Sequence, residues 1–100
     1  MLFITQLIYI KPGMEDIFAR FEAGAIPIIA KYNGELLFRI RPDASSIIEK
    51  NIEQPYEIHL IRFNSQHDFN AFMADEQRKK FLHLKEQSIR ESLLIKGEKI

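Results

Sequence analysis

The first ten residues constrain the fold most strongly. Residues 2–10 read LFITQLIYI, a run rich in β-branched and aromatic side chains that is typical of a β-strand. Both of its alternating faces are apolar, with Leu2, Ile4, Ile8 and Ile10 on one and Phe3, Leu7 and Tyr9 on the other. Such a strand is normally covered on both sides. We therefore predict that both faces of this strand are covered by packed side chains.

A single helical stripe follows the strand. Apolar residues recur at helical spacing over about five turns, at Met14, Ile17, Phe18, Phe21, Ala25, Ile28 and Tyr32. The stripe predicts one helix that is kinked at Pro27, because proline removes a backbone hydrogen bond. Asn33-Gly34 predicts its end, with Gly34 in the left-handed conformation.

The segment ELLFRIR, residues 35–41, predicts the second strand. Strict alternation would put Leu36, Phe38 and Ile40 on the core face, and Arg39 and Arg41 on the opposite face. The polar stretch 43–54 predicts a loop with one short helical turn. Residues 56–63 predict the third strand, in which four residues share one face: Glu57, His59, Ile61 and Phe63.

The last third of the chain predicts helices and a closing strand. Ser65 is a good N-cap for a helix that buries Phe69 and Phe72. A further helical run covers 76–87, and SLLIKGEK predicts a fourth strand. The order β-α-β-β-α-β indicates an α+β, ferredoxin-like fold, a four-stranded antiparallel sheet with helices on one face. No linker or repeat interrupts residues 1–100, so we expect one domain.

Composition excludes several classes of function. The 14 basic and 14 acidic residues cancel, and no strongly basic face favours nucleic acid. There is no cysteine, so thiol chemistry and thiolate metal sites are excluded. The scattered glycines and histidines match no cofactor or metal motif, and we expect neither a cofactor nor a metal. The apolar N-terminus is too short for a membrane span and lacks signal-peptide features, which favours a cytoplasmic protein without membrane association.

Two stretches resemble a known group of proteins. AIPIIAKYNGELLFR (25–39) and LIRFNSQHDFNAF (60–72) are similar to segments of the dimeric α/β-barrel superfamily. The narrower resemblance is to a small bacterial family of unknown function, related to antibiotic-biosynthesis monooxygenases. It implies a homodimer whose two sheets meet face to face, and a small ligand bound between sheet and helices without a cofactor. The sequence pattern agrees, since an apolar sheet face is rarely left in water.

Four residues are candidates for a site. By the resemblance, His59 points into the space between sheet and helices, where it could act as a general base; alternatively it is a buried, hydrogen-bonded histidine. Arg39 matches a recurring arginine and could hold a ligand carboxylate, or it could pair with Glu57 or with a partner residue. Tyr9 and Tyr32 could donate to a ligand or line the edge of the core.

Three functions remain open from sequence. The chain could be a cofactor-free enzyme, such as an oxygenase or isomerase acting on an activated carbonyl or aromatic compound. It could be a non-catalytic ligand-binding module, or a structural dimer that interacts with another protein. Cavity volume separates the first two from the third, because large side chains such as Phe18, Phe21 and Phe72 could fill the space.

Overall fold

The computed structural model describes residues 1–100. Four strands, β1 (Leu2–Ile10), β2 (Gly34–Ile40), β3 (Glu57–Phe63) and β4 (Ile89–Gly97), form one antiparallel sheet in the order β2-β3-β1-β4. The α-helices are α1 (Glu15–Ala25), α2 (Gln66–Met73), α3 (Glu76–Lys79) and α4 (Leu82–Ser88). Two 3₁₀ helices cover Ile26–Tyr32 and Ala44–Ser46. This order confirms the predicted ferredoxin-like α+β fold.

The sheet carries one layer of helices. The molecule measures 36 × 36 × 16 Å, and the short dimension accommodates a sheet and a single helical layer. On β1, Ile4 and Ile8 face the helices and are almost fully buried. Phe3 and Leu7 face the other way and are only half-buried. We call this second surface the outer face, and no element of the chain forms a layer over it.

Phe63 anchors the main core. Its side chain is fully buried, and its ring lies 5.5 Å from the rings of both Phe69 and Phe72 on α2. The start of α2 is fixed by the predicted cap, because the Asp68 backbone N–H donates to Ser65 Oγ at 3.1 Å. The side of β3 that carries Phe63 therefore faces the helices, as predicted.

Pro27 changes the type of helix. The chain stays helical from Glu15 to Tyr32, but it tightens from α to 3₁₀ at Ile26, with Pro27 in the first turn, where its missing N–H is not needed. Asn33, and not Gly34 as predicted, takes the left-handed conformation at φ 58°. Gly34 is required for a different reason. A Cβ there would lie 2.6 Å from both Ile29 Cγ2 and Phe63 Cε1.

A β-bulge in β2 overturns the predicted side-chain alternation. Leu36 pairs with Ile61, but Phe38 pairs with Leu60, so Leu37 is an extra residue in the strand. Beyond the bulge the faces are exchanged. Phe38 and Ile40 lie on the outer face instead of in the core, and Arg39 and Arg41 lie on the helix side instead of the outer face.

The outer face is largely apolar. Its strongly exposed members are 46–48% accessible and come from the two edge strands: Phe38, Ile40, Leu93 and Ile95. Phe3, Leu7, Ile58 and Leu60 fill the centre and are half-buried. The helices lie on the opposite side of the sheet, and none is long and apolar enough to cross a bilayer.

Candidate functional site

Five charged side chains meet on the helix side of the sheet. We call Glu22, Arg39, Arg41, Glu57 and His59 the charge cluster. Glu22 comes from the buried side of α1, and Glu57 and His59 from alternate positions of β3. The bulge at Leu37 brings the two arginines of β2 to the same side, and Arg39 pairs directly with His59 across the strands.

His59 lies between two buried carboxylates. Its Nε2 is 2.5 Å from Glu57 Oε2 and 2.9 Å from Glu22 Oε2. Glu22, Glu57 and His59 are each less than 5% exposed. No residue of the chain hydrogen-bonds to the other ring nitrogen, Nδ1. One nitrogen of the ring therefore bonds within the cluster, and the other has no hydrogen-bond partner in the chain.

The two arginines place two positive charges next to the buried carboxylates. Arg39 reaches both carboxylates, with Nη2 3.1 Å from Glu22 Oε1 and Nε 3.4 Å from Glu57 Oε2. Arg41 Nε lies 2.9 Å from Glu57 Oε1. Both guanidinium groups are partly exposed, so the two arginines lie between the buried carboxylates and the solvent. The predicted alternative for Arg39, an ion pair with Glu57, is present.

The cluster separates the pKa values of its members. Burial raises the pKa of Glu22 to about 7, and the nearby Glu57 charge adds to this rise despite the hydrogen bond from His59. Burial also opposes ionisation of Glu57, but hydrogen bonds from His59, Glu22 and Arg41 outweigh it and hold its pKa far below the usual range. For His59, burial is outweighed by the two carboxylates, which raise its pKa to about 9. At neutral pH the ring is therefore protonated and Glu22 is poised between its two forms.

A cavity of about 250 Å³ adjoins the cluster between sheet and helices. Glu22 and His59 lie in its wall, together with 14 hydrophobic residues that include Phe18, Phe21 and Phe72. These rings line the space without filling it. The volume is just below the roughly 300 Å³ at which drug-sized ligand sites begin, so a small organic molecule fits.

Glu22, Glu57 and His59 are also the residues that could hold a metal ion. One donor atom from each lies within 4.8 Å of the others. However, the raised pKa of His59 keeps the ring protonated at neutral pH, and its Nε2 lies within 2.9 Å of both carboxylates. Arg39 and Arg41 also place two positive charges against the same carboxylates. A divalent cation would have to displace that proton against this repulsion, so the arrangement favours proton sharing over metal binding.

The structure unites two of the four predicted site residues. His59 lines the cavity, and Arg39 contacts Glu22 on its wall. Tyr9 is on the opposite face of the sheet, where its hydroxyl donates to the Glu53 carbonyl at 2.8 Å. Tyr32 donates to the carboxylate of Asp75, and neither tyrosine lines the cavity. Their predicted contact with a ligand in this cavity is therefore not supported by their positions.

Sequence reasoning missed Glu22, although a signal was present. Glu22 lies four residues after Phe18 and three before Ala25, within the apolar stripe of α1. An acidic residue at such a position is desolvated when the helix packs, which marks it as a candidate acid or base. Arg78 and Lys85 also line the cavity, but polar residues surround them in the sequence, so no pattern there predicts this placement.

Comparison with known proteins gives the fold. The sequence matches no protein-family model and no curated protein. A protein of unknown function from Rhodopseudomonas palustris is 12% identical, with a TM-score of 0.83 over 99% of this chain and 82% of that one. A NIPSNAP domain protein from Burkholderia xenovorans is also 12% identical, with a TM-score of 0.71 over 100% of this chain and 95% of that one.

A third neighbour belongs to the group that the sequence resembles. An antibiotic biosynthesis monooxygenase is 13% identical, with a TM-score of 0.72 over 100% of this chain and 99% of that one. At these identities the likeness concerns the backbone and not the chemistry. The chain therefore has the ferredoxin-like fold that its sequence predicts, and it shares this fold with the NIPSNAP and antibiotic-biosynthesis-monooxygenase structures.

Proposed function

We propose that this protein binds a small organic molecule in the cavity and moves a proton to or from it without a cofactor. The observation that carries the proposal is the position of Glu22. Its buried carboxyl has a pKa of about 7 and lies in the wall of a largely apolar cavity. A general base is most effective when its pKa is close to the working pH.

The charge cluster assigns a role to each neighbour. Because His59 is protonated at neutral pH, it is an acid or a charge stabiliser, and the base is Glu22 and not His59. In the imidazolium form Nδ1 carries a hydrogen, which can be donated to a ligand oxygen that gains negative charge. Arg39 orients the Glu22 carboxylate through its contact with Oε1. Together these groups suit proton abstraction next to a carbonyl.

The test is exchange of carbon-bound hydrogen for deuterium. Acetylacetone, phenylacetone and phenylpyruvate are incubated in deuterated buffer and followed by NMR from pH 5 to 9. We expect exchange by the wild type to rise through about pH 7, the pKa of Glu22. Glu22→Gln should slow exchange at least about 100-fold, the usual contribution of a positioned base. Dioxygen uptake is recorded in parallel, because one structural neighbour is a monooxygenase.

Two results contradict the proposal. One is exchange by Glu22→Gln at the wild-type rate, and the other is no exchange by the wild type with any of the three compounds. Glu49→Gln, which changes an exposed glutamate in the loop between β2 and β3, is the matched control and should behave as the wild type. A wild type that binds these compounds without exchanging them supports the non-catalytic ligand-binding alternative.

We also propose that a second copy of the chain covers the outer face. The resemblance implies this arrangement, and the sheet is bare on the side where Phe38, Ile40, Leu93 and Ile95 are exposed. A specific dimer should bury more than roughly 1,000 Å² in total. Light scattering at micromolar concentration should give twice the monomer mass.

A charge on the outer face tests this assembly. Phe38→Glu should produce monomers, because it places an unpaired carboxylate in the contact. Ile48→Glu adds the same charge at a fully exposed loop position and should leave the mass unchanged. A monomeric wild type, or a dimeric Phe38→Glu protein, would refute the face-to-face arrangement.

A further inference from the structure

Arg78 is a buried cation without an acidic partner. Its residue is only 7% exposed, and its side chain lines the cavity. Of its five N–H donors, one is used, from Nη1 to the Met73 carbonyl at 3.3 Å. Its Nε is fully buried and has no hydrogen-bond partner. Buried charges in proteins are normally paired, so this arginine lacks a counter-ion within its own chain.

Asp75, whose charge acts on Arg78, already has other partners. Its Oδ1 accepts the backbone N–H of Arg78 at 2.8 Å, which caps α3. Its Oδ2 accepts from the Tyr32 hydroxyl and from Lys31 Nζ. No salt bridge joins Asp75 to the Arg78 guanidinium. The aspartate therefore caps the helix, and although its charge favours the cationic form of Arg78, it forms no ion pair with the guanidinium.

Lys85 adds a second positive charge to the same wall. It projects from α4, lines the cavity and forms no salt bridge. Burial lowers the pKa of Lys85, the charge of Arg78 lowers it further, and the charge of Glu86 offsets only part of this. Burial likewise lowers the pKa of Arg78. Two desolvated cations that repel each other are costly unless an anion lies between them.

We propose that the natural ligand of the cavity is a small organic monocarboxylate, whose carboxylate is held by Arg78 and Lys85 while its apolar part fills the space. The fork of a guanidinium matches a planar carboxylate, and the mostly hydrophobic wall matches a short aliphatic or aromatic body. This inference rests on the proposed use of the cavity for a ligand, but not on proton transfer by Glu22.

Binding of matched acids and amides tests the proposal. Benzoate, phenylacetate and hexanoate are titrated by calorimetry at pH 7, each against its neutral amide. We expect at least one acid to bind the wild type about tenfold or more tightly than its amide, the usual effect of a charge-assisted contact. Phenyl phosphate is included, because a phosphate monoester would use the same cations. It should bind more weakly than the best acid.

Variants locate the contact. Arg78→Met and Lys85→Met should each remove most of the preference for acid over amide, whereas Lys79→Met, an exposed neighbour on α3, should leave it intact. Without ligand, Arg78→Met should melt at the same temperature as the wild type or higher, because it removes an unpaired buried charge. A structural arginine would instead show a clear loss of melting temperature. If Arg78→Met does not fold, the proposal is abandoned.

Three further results overturn the inference: no acid binds tenfold more tightly than its amide, phenyl phosphate binds best, or both variants keep the preference. These outcomes are separable from the fate of the proposed function. A wild type that prefers carboxylates but exchanges no proton refutes the proton-transfer proposal alone. Exchange on neutral ketones without any carboxylate preference refutes this inference alone.

Discussion

Replacing His59 by glutamine should cost stability in a pH-dependent way. The pKa of His59 rises from 6.5 to about 9 on folding, because Glu22 and Glu57 flank the ring. This rise corresponds to about 3 kcal/mol of folding free energy at low pH. Because the folded pKa is the higher one, the contribution is complete below pH 6.5 and is lost as pH rises through 9. Glutamine keeps a hydrogen-bond donor but not the charge.

The measurement is urea unfolding of the wild type and His59→Gln at several pH values from 6 to 10. The difference in unfolding free energy should be largest at pH 6 and should shrink by about 3 kcal/mol toward pH 10. His83→Gln, which changes an exposed histidine on α4, is the matched control and should follow the wild type throughout. A difference that stays constant over this range would show that folding does not raise the pKa of His59, and the assignment of the base to Glu22 would fail with it.

Three other predictions concern packing and metal binding. Phe63→Ala should destabilise by about 3–5 kcal/mol in urea unfolding, because the ring is fully buried, whereas Ile48→Ala at an exposed position should change stability by less than about 0.5 kcal/mol. Gly34→Ala should cost about 1–3 kcal/mol, because its Cβ would overlap the Phe63 ring, while Gly97→Ala has open space and serves as the control. Equimolar Zn²⁺ should not raise the melting temperature, because Arg39 and Arg41 already pair with the carboxylates of the charge cluster; a rise that Glu22→Gln abolishes would establish a metal site.

Local patterns were sufficient for most of the fold. The apolar run of β1, the stripe of α1 and the Ser65 cap each depend on residues close together in sequence, so their periodicity and hydrogen-bonding capacity predict them directly. The buried face of β3 was also predictable, because buried and half-buried residues alternate without interruption from Glu57 to Phe63. These elements fix the sheet, its helical layer and the side on which His59 lies.

The candidate site depended on features that sequence does not display. Alternation in β2 holds only if every residue pairs in register, and the bulge at Leu37 is decided by pairing with β3 and by the packing of Leu36 in the core. Because of that one extra residue, Arg39 lies on the helix side, where it contacts Glu22, and Phe38 lies on the outer face. No local pattern around either arginine contains this information.

The sequence by itself determined the order of the elements, the apolar character of both sheet faces and the presence of a histidine among core residues. Only the tertiary structure decided which charges meet, because Glu22 and Glu57 are 35 positions apart and approach only when α1 packs on β3. It also decided their ionisation, since burial and neighbouring charge set the pKa of Glu22 and His59. Periodicity reports on neighbours along the chain, whereas chemistry in this cavity depends on neighbours in space.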